Sequence, residues 1–216
     1  MKDKLLAEFA GTALLLMVVV GSGIYGETLS TGNTAVALLA NSIATGAGLY
    51  VLITLLGPIS GAHMNPVVSL FFRLHGDLGT RDCMAYISAQ ISGGIAGVWL
   101  THLIYAQPIL QTSSKVRSGM AQWVSEIVAT ALLLGAIHLA LRHAREKIAL
   151  VVALLVTAGY WFTSSTFFAN PAVTLARSLS DTFAGIRPLD APGFIAAQLI
   201  ALALVWVLAR SKPSTP

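Results

Sequence analysis

Two stretches carry residues whose chemistry depends on where a helix begins: Ser60-Gly61-Ala62-His63-Met64-Asn65-Pro66-Val67 and Thr166-Phe167-Phe168-Ala169-Asn170-Pro171-Ala172-Val173. Asn is a preferred helix N-cap, and Pro is tolerated at the first helical position, where its missing N–H leaves no bond unmade. Each pair therefore predicts a helix starting at Asn65 or Asn170. Arg73 and Arg177 interrupt the apolar run after about two to three turns, too soon for a span that needs roughly 20 residues. Half-helices of this kind are tolerated inside a membrane where their irregular backbone is buried in protein or lines a cavity. Helix N-termini carry partial positive charge, and a capping Asn keeps amide N–H groups to donate. Two such ends facing each other predict a path that favours neutral, hydrogen-bonding solutes over cations. Backbone carbonyls of Gly61, Ala62 and His63 on one side, and of Thr166, Phe167 and Phe168 on the other, are expected to line it, because extended chain in lipid cannot leave them unpaired. The chain shows no Ser-His-Asp order, metal-ligand spacing or phosphate-binding glycine loop, so neither catalysis nor a cofactor is expected.

The elements that must hold these stretches are apolar helices. Of 216 residues, 56% are hydrophobic and 10% are charged, with a mean hydropathy of +0.77. A soluble domain carries roughly 25% charge. This composition predicts an all-α, multi-pass membrane protein in contact with a lipid bilayer. Long apolar runs predict six full spans, at about 5–25, 34–56, 82–105, 120–141, 148–168 and 192–209, with half-helices at about 65–74 and 170–179. The net charge is +4, but the Lys and Arg residues fall between apolar runs, where they serve orientation, so no nucleic-acid partner is expected. Cys83 is alone, which excludes an intramolecular disulfide and a cysteine-based metal site. The start, Met1-Lys2-Asp3-Lys4 and an apolar run, has the outline of a signal peptide. Glu8 lies inside that run, however, and its pattern recurs internally, so the segment is read as a retained first span.

The recurrence is extensive. Glu8-Phe9-Ala10-Gly11-Thr12-Ala13-Leu14-Leu15-Leu16 and Glu126-Ile127-Val128-Ala129-Thr130-Ala131-Leu132-Leu133-Leu134 share the pattern E-x-x-x-T-A-L-L-L, and Gln90 and Gln198 sit in a second matching pair of segments. Glu, Asn-Pro and Gln thus recur in order, giving repeats of about 1–110 and 118–212. Three spans per repeat is an odd number, so the second copy enters the membrane from the opposite face and the half-helices dip toward each other. With the N-terminus inside, Lys2, Lys4, Arg73, Arg81, Arg142, Arg145, Lys147, Arg210 and Lys212 are inner, and Lys115, Arg117, Arg177 and Arg187 are outer. That excess favours both termini in the cytoplasm. An intramembrane acid suggests a proton or ion site by default. The repeat symmetry of Glu8 and Glu126 points instead to carboxylates accepting backbone N–H groups from the two loops, with Gln90 and Gln198 in the same supporting role. His63 either donates to a solute at the inner pore or holds its loop. Gly93 and Gly97 form a small-residue face for close helix contact, within the protomer or between protomers.

The motif S-G-A-H-x-N-P, the second N-P-A and the repeated Glu and Gln resemble the aquaporin, or major intrinsic protein, superfamily over nearly the whole chain. The resemblance implies a right-handed bundle of six tilted helices and two half-helices, a pore through each protomer, usually a homotetramer, and here a cell (inner) membrane location. It implies pore motifs at Asn65, Pro66, Val67 and at Asn170, Pro171, Ala172, loop support by Glu8 and Glu126, and an outer constriction at Thr45, Ala158, Phe167 and Val173. Family members usually carry an aromatic where Thr45 stands and an Arg where Val173 stands, and water-selective members commonly carry His at Ala158. Three small neutral groups predict a wider constriction without fixed charge, which argues against a water-only filter. Val in place of Arg resembles a bacterial aquaglyceroporin branch associated with arsenic resistance. That implies passage of glycerol, undissociated arsenite and methylated arsenicals. Val67, where the family usually has Ala, either trims the midplane or packs inside the bundle. Arg177, one turn beyond Val173, either reaches back over the constriction or, as expected here, pairs i,i+4 with Asp181 in the outer vestibule. The reading is a passive channel for small uncharged polar solutes and water. A water-selective channel, a coupled secondary transporter and a non-conducting membrane protein are the alternatives.

Overall fold

The computed structural model describes residues 1–210; Lys212 and the last residues of the second repeat lie outside them. Within the described residues the chain is helical, with no strand: α1 (Lys2–Leu29), α2 (Thr34–Ser60), α3 (Pro66–His75), α4 (Thr80–Ile104), α5 (Met120–His143), a 3-10 turn (Arg145–Lys147), α6 (Ile148–Phe162), α7 (Pro171–Arg177) and α8 (Ala191–Arg210). Helices α1, α2, α4, α5 and α8 are long and apolar enough to cross a membrane. α1 packs on α2 and α4, α5 packs on α6 and α8, and α2 meets α6 across the centre. Leu6, Leu55, Leu103, Leu154 and Leu204 stand exposed on the outside of this bundle, as a lipid-facing surface requires.

Three expected spans have clearly different ends, the first of them running on to Leu29 rather than stopping at 25. The run 148–168 is helical for only fifteen residues and stops at Phe162. Thr163 is extended, and both its N–H and its hydroxyl fold back onto the Gly159 carbonyl, at 3.1 and 2.6 Å. Hydrophobicity alone does not distinguish the apolar loop that follows from more helix. In contrast, α2 continues through Pro58 to Ser60, four residues beyond its expected end at 56.

Gly93 and Gly97 serve contact within the protomer. A methyl group on either would collide with the backbone carbonyls of Phe9 and Ala13 on α1, so α1 and α4 cross at backbone distance. This close crossing brings Glu8 on α1 and Gln90 on α4 to the back of the first loop.

The half-helices begin where the Asn-Pro pairs predict. Asn65 (φ −159°, ψ 120°) and Asn170 (φ −157°, ψ 113°) are extended N-caps. Asn65 accepts from the Val67 amide at 3.0 Å, and Asn170 accepts from Ala172 and Val173 at 3.0 and 3.2 Å. Pro66 and Pro171 occupy the first helical positions. α3 has ten residues and α7 seven, lengths of about 15 and 10 Å at 1.5 Å per residue, so neither crosses a bilayer.

Candidate functional site

Glu8 and Glu126 lie behind the two loops, both fully buried. Glu8 Oε1 accepts from the Ser60 hydroxyl (2.6 Å) and the His63 amide (2.9 Å), and its Oε2 accepts from the Met64 amide (2.6 Å) and Gln90 Nε2 (2.7 Å). Glu126 accepts from the amides of Phe168 (3.1 Å) and Ala169 (2.9 Å) and from Gln198 Nε2 (2.7 Å). Each Gln also donates to a hydroxyl four residues past its Asn: Gln90 to Ser69 at 2.9 Å and Gln198 to Thr174 at 3.1 Å. Glu8 thus accepts four hydrogen bonds and Glu126 three, from amides of the adjoining loops, from the Ser60 hydroxyl in the case of Glu8, and from a Gln of the helix behind each.

Those bonds hold backbone that would not otherwise stay. Ala62 and Met64 have φ of 49° and 46°, and Phe167 and Ala169 have 56° and 47°. In both loops the strained residues are thus the third and first before Asn, and Thr166 (58°) adds one more. Left-handed conformations at non-glycine residues cost of order 1–3 kcal/mol each and persist only when surrounding contacts enforce them. The turns leave the carbonyls of Gly61, Ala62, His63, Thr166, Phe167 and Phe168 without a donor among the described residues.

The two helix ends are tied directly together. Asn65 Nδ2 donates to the Ala169 carbonyl and Asn170 Nδ2 donates to the Met64 carbonyl, both at 2.8 Å. One N–H of each amide is thereby used in a cross-brace, and the second remains. Around this brace lies a cavity of about 100 Å³, lined by Gly61, Ala62, His63, Asn65, Asn170 and Val173 on the loop side. Leu15, Leu49, Leu133, Ile137, Val152 and Val156 form the facing wall. His63 lines the cavity, and its Nδ1 lies 3.1 Å from the Ser69 hydroxyl while its ring stacks on Phe72 at 4.5 Å. Val67 is fully buried and packs inside the bundle, and it is Val68 that reaches the cavity.

Three of the four expected constriction residues, Thr45, Phe167 and Val173, line the cavity together; Ala158 does not. Ala158 is exposed on the outer face of α6, and the α6 residue facing Thr45 is Tyr160, whose hydroxyl is 3.1 Å from Thr45 Oγ1. Two residues turn a helix by about 200°, so Ala158, which the resemblance implied, and Tyr160 lie on opposite faces of α6. Phe167 is seated because Gly159 has no side chain: a methyl there would enter the ring. An aromatic lining residue was therefore missed, and its signal was the Gly159-Tyr160 pair immediately before the helix end.

Arg177 also departs from expectation. Asp181 accepts from the Ser114 amide (2.8 Å) and hydroxyl (2.9 Å), and no Arg177–Asp181 ion pair forms. Arg177 is 3% exposed, donates its Nε–H to the Ala184 carbonyl, lies 3.5 Å over the Phe168 ring, and lines the cavity. Helical side chains lean toward the helix N-terminus, and from the last turn of α7 that direction is inward.

A membrane bundle with a cavity running past two opposed half-helix ends, walled by aliphatic side chains on one side and by backbone carbonyls and Asn amides on the other, defines a passive channel for small solutes. The chain belongs to the major intrinsic protein family: the family profile described as "MIP: Major intrinsic protein" matches residues 1–161. It is 55% identical over 212 residues to aquaglyceroporin AqpS of Rhizobium meliloti (strain 1021), covering 96% of this chain and 91% of that one. It is 32% identical over 193 residues to aquaporin NIP2-3 of Zea mays, covering 85% of this chain and 62% of that protein. Among solved structures, the aquaglyceroporin from Plasmodium falciparum superposes with a TM-score of 0.70 at 21% identity, covering 96% of this chain and 93% of that one, a likeness of fold. As a member of this family the protein is a membrane channel and not an enzyme.

Proposed function

We propose that the channel conducts small uncharged polyhydroxyl solutes, glycerol and undissociated arsenite foremost, with methylated arsenicals and water also passing. The observation that carries this reading is the two-sided cavity. Unpaired carbonyls and Asn amides can replace the hydration of hydroxyl groups along one side, while aliphatic side chains accommodate C–H surface along the other. Thr45 and Val173 leave the outer end without the bulk of an aromatic or a guanidinium at those positions, so Thr45, Tyr160, Phe167 and Val173 form the constriction in this reading. Similarity to AqpS and to the glycerol uptake facilitator protein of Pseudomonas aeruginosa (34% identical over 106 residues, 49% of this chain and 37% of that one) supports the same solute class. In this reading the two halves are inverted repeats, the protein is a homotetramer of the inner membrane, and both termini are cytoplasmic. Supporting the topology, Met1 and Leu5 share a recess with Arg81 and Asp82, while the Lys115 carbonyl accepts the Arg187 amide in a separate loop cluster.

Light-scattering swelling of proteoliposomes in isosmotic glycerol and in neutral arsenite tests the reading. Fast entry of both, reduced about tenfold or more by Val173→Arg through narrowing of the pore, is the expected result. Rapid osmotic water flow with neither solute entering would refute it.

A further inference from the structure

Among the described residues Arg177 is a buried cation with no anion. Its Nε–H is taken by the Ala184 carbonyl, which fixes the plane of the guanidinium, but its terminal N–H groups find no acceptor among the described residues. The acids on the adjoining loop are engaged elsewhere. Asp181 accepts from Ser114, and Asp190 holds Arg187 Nη2 in an ion pair at 2.8 Å and the Arg117 amide at 2.8 Å. Burying a charge without a partner is strongly unfavourable. Here the side chain lines the cavity, from which water can solvate the free N–H groups. Phe168 presents its ring face to the same guanidinium at 3.5 Å. Arg117 stands behind it, 5.2 Å from the same ring, with its Nε donating to the Gly185 carbonyl at 2.9 Å.

Resting on the pore reading above, we propose that Arg177 is the fixed positive charge that keeps this channel closed to cations, with pore width set separately at Val173. One helical turn, about 5.4 Å, separates the two positions along α7. A single unit charge in a narrow, poorly solvated passage raises the energy of any cation strongly. Moving it one turn outward leaves the charge barrier in place while the constriction itself, lined by Thr45, Tyr160, Phe167 and Val173, carries no charge. The channel thereby admits neutral solutes and stays cation-tight.

The test is ion flux in proteoliposomes holding native protein, Arg177→Leu, Arg177→Lys, or the double variant Arg177→Leu with Val173→Arg, each first checked for monodisperse elution and a cooperative melt. Proton and potassium entry under an imposed voltage should rise about tenfold or more in Arg177→Leu. It should stay near native in Arg177→Lys, which keeps the charge and loses the Nε bond, and should fall back in the double variant. A folded Arg177→Leu that remains cation-tight overturns the proposal, and so does an Arg177→Lys that leaks equally, since that would make the residue a structural tie. Native protein provides an arm free of folding effects: its residual ionic leak should favour chloride over potassium by reversal potential, and a potassium preference overturns the proposal. Glycerol entry by the native protein tests the pore reading separately, so the two can fail independently.

Discussion

Glu126 accepts the amides of Phe168 and Ala169, and two of the strained residues, Phe167 and Ala169, lie within that hydrogen-bonded turn. Its truncation to Ala would strand two buried N–H groups at about 1–3 kcal/mol each and release the turn. Glu126→Ala should therefore lower the melting temperature in detergent and abolish solute-driven swelling. An unchanged melt would show that the loop holds itself. The loop-supporting carboxylates were legible as residues because they recur in matching places, as do Gln90 and Gln198. The cavity lining was legible only in part. The family resemblance implied Thr45, Phe167 and Val173, which line the cavity, but on α6 it implied Ala158, whereas Tyr160 lines it. Residues 163–169 are irregular and carry no helical register, so the Asn170 motif does not fix which face α6 turns to the cavity.

Among the elements, α1 and α4 depend on backbone contact at Gly93 and Gly97. Gly97→Val should cost about 1–3 kcal/mol by overpacking and move Glu8 relative to the first loop. At Gly135 a methyl group would meet nothing within 4 Å, so Gly135→Ala should leave stability unchanged or slightly raised. Thermal melts of the two variants check this, and equal melting temperatures would argue against a close α1–α4 crossing. The starts of α3 and α7 could be read from two residues each, since an Asn-Pro cap is local chemistry. The end of α6 could not. Its last turn and the following loop are equally apolar, and past the helix end the loop amides of Ser165, Phe168 and Ala169 go to Ser125 and Glu126 on α5.

At the scale of the whole molecule, the loop between α4 and α5 folds onto the segment between α7 and α8. Ser113 donates its amide to the Ser178 carbonyl (3.0 Å), Lys115 Nζ donates to the Phe183 carbonyl (2.7 Å), and Arg117 bonds Asp190 and Gly185. Burial pushes the Asp190 carboxyl up, but the bonds from Arg187 and the Arg117 amide, with the Arg187 charge, outweigh it, and its pKa lies below the ordinary 3.8. A depressed carboxylate contributes stability that is fully present above its unfolded pKa and is lost as pH falls through the folded one. These loops should thus keep their hydrogen-exchange protection at about pH 5 and lose it only below the usual carboxylate range. Asp190→Asn should remove that pH step. Loss of protection already near neutral pH would assign the loop closure to other groups.

The sequence by itself determined the membrane class, the paired half-helices, the loop-supporting acids and the family, because each rests on composition, on a cap of two residues or on a repeat, and all of these are local or additive. Tertiary structure decided which side chains meet in the pore. Arg177 turned inward because Ser114 claimed Asp181 and the Ala184 carbonyl with the Phe168 ring received its guanidinium. Those partners lie on separate loops, and a choice among distant partners is made only when the chain has brought them together.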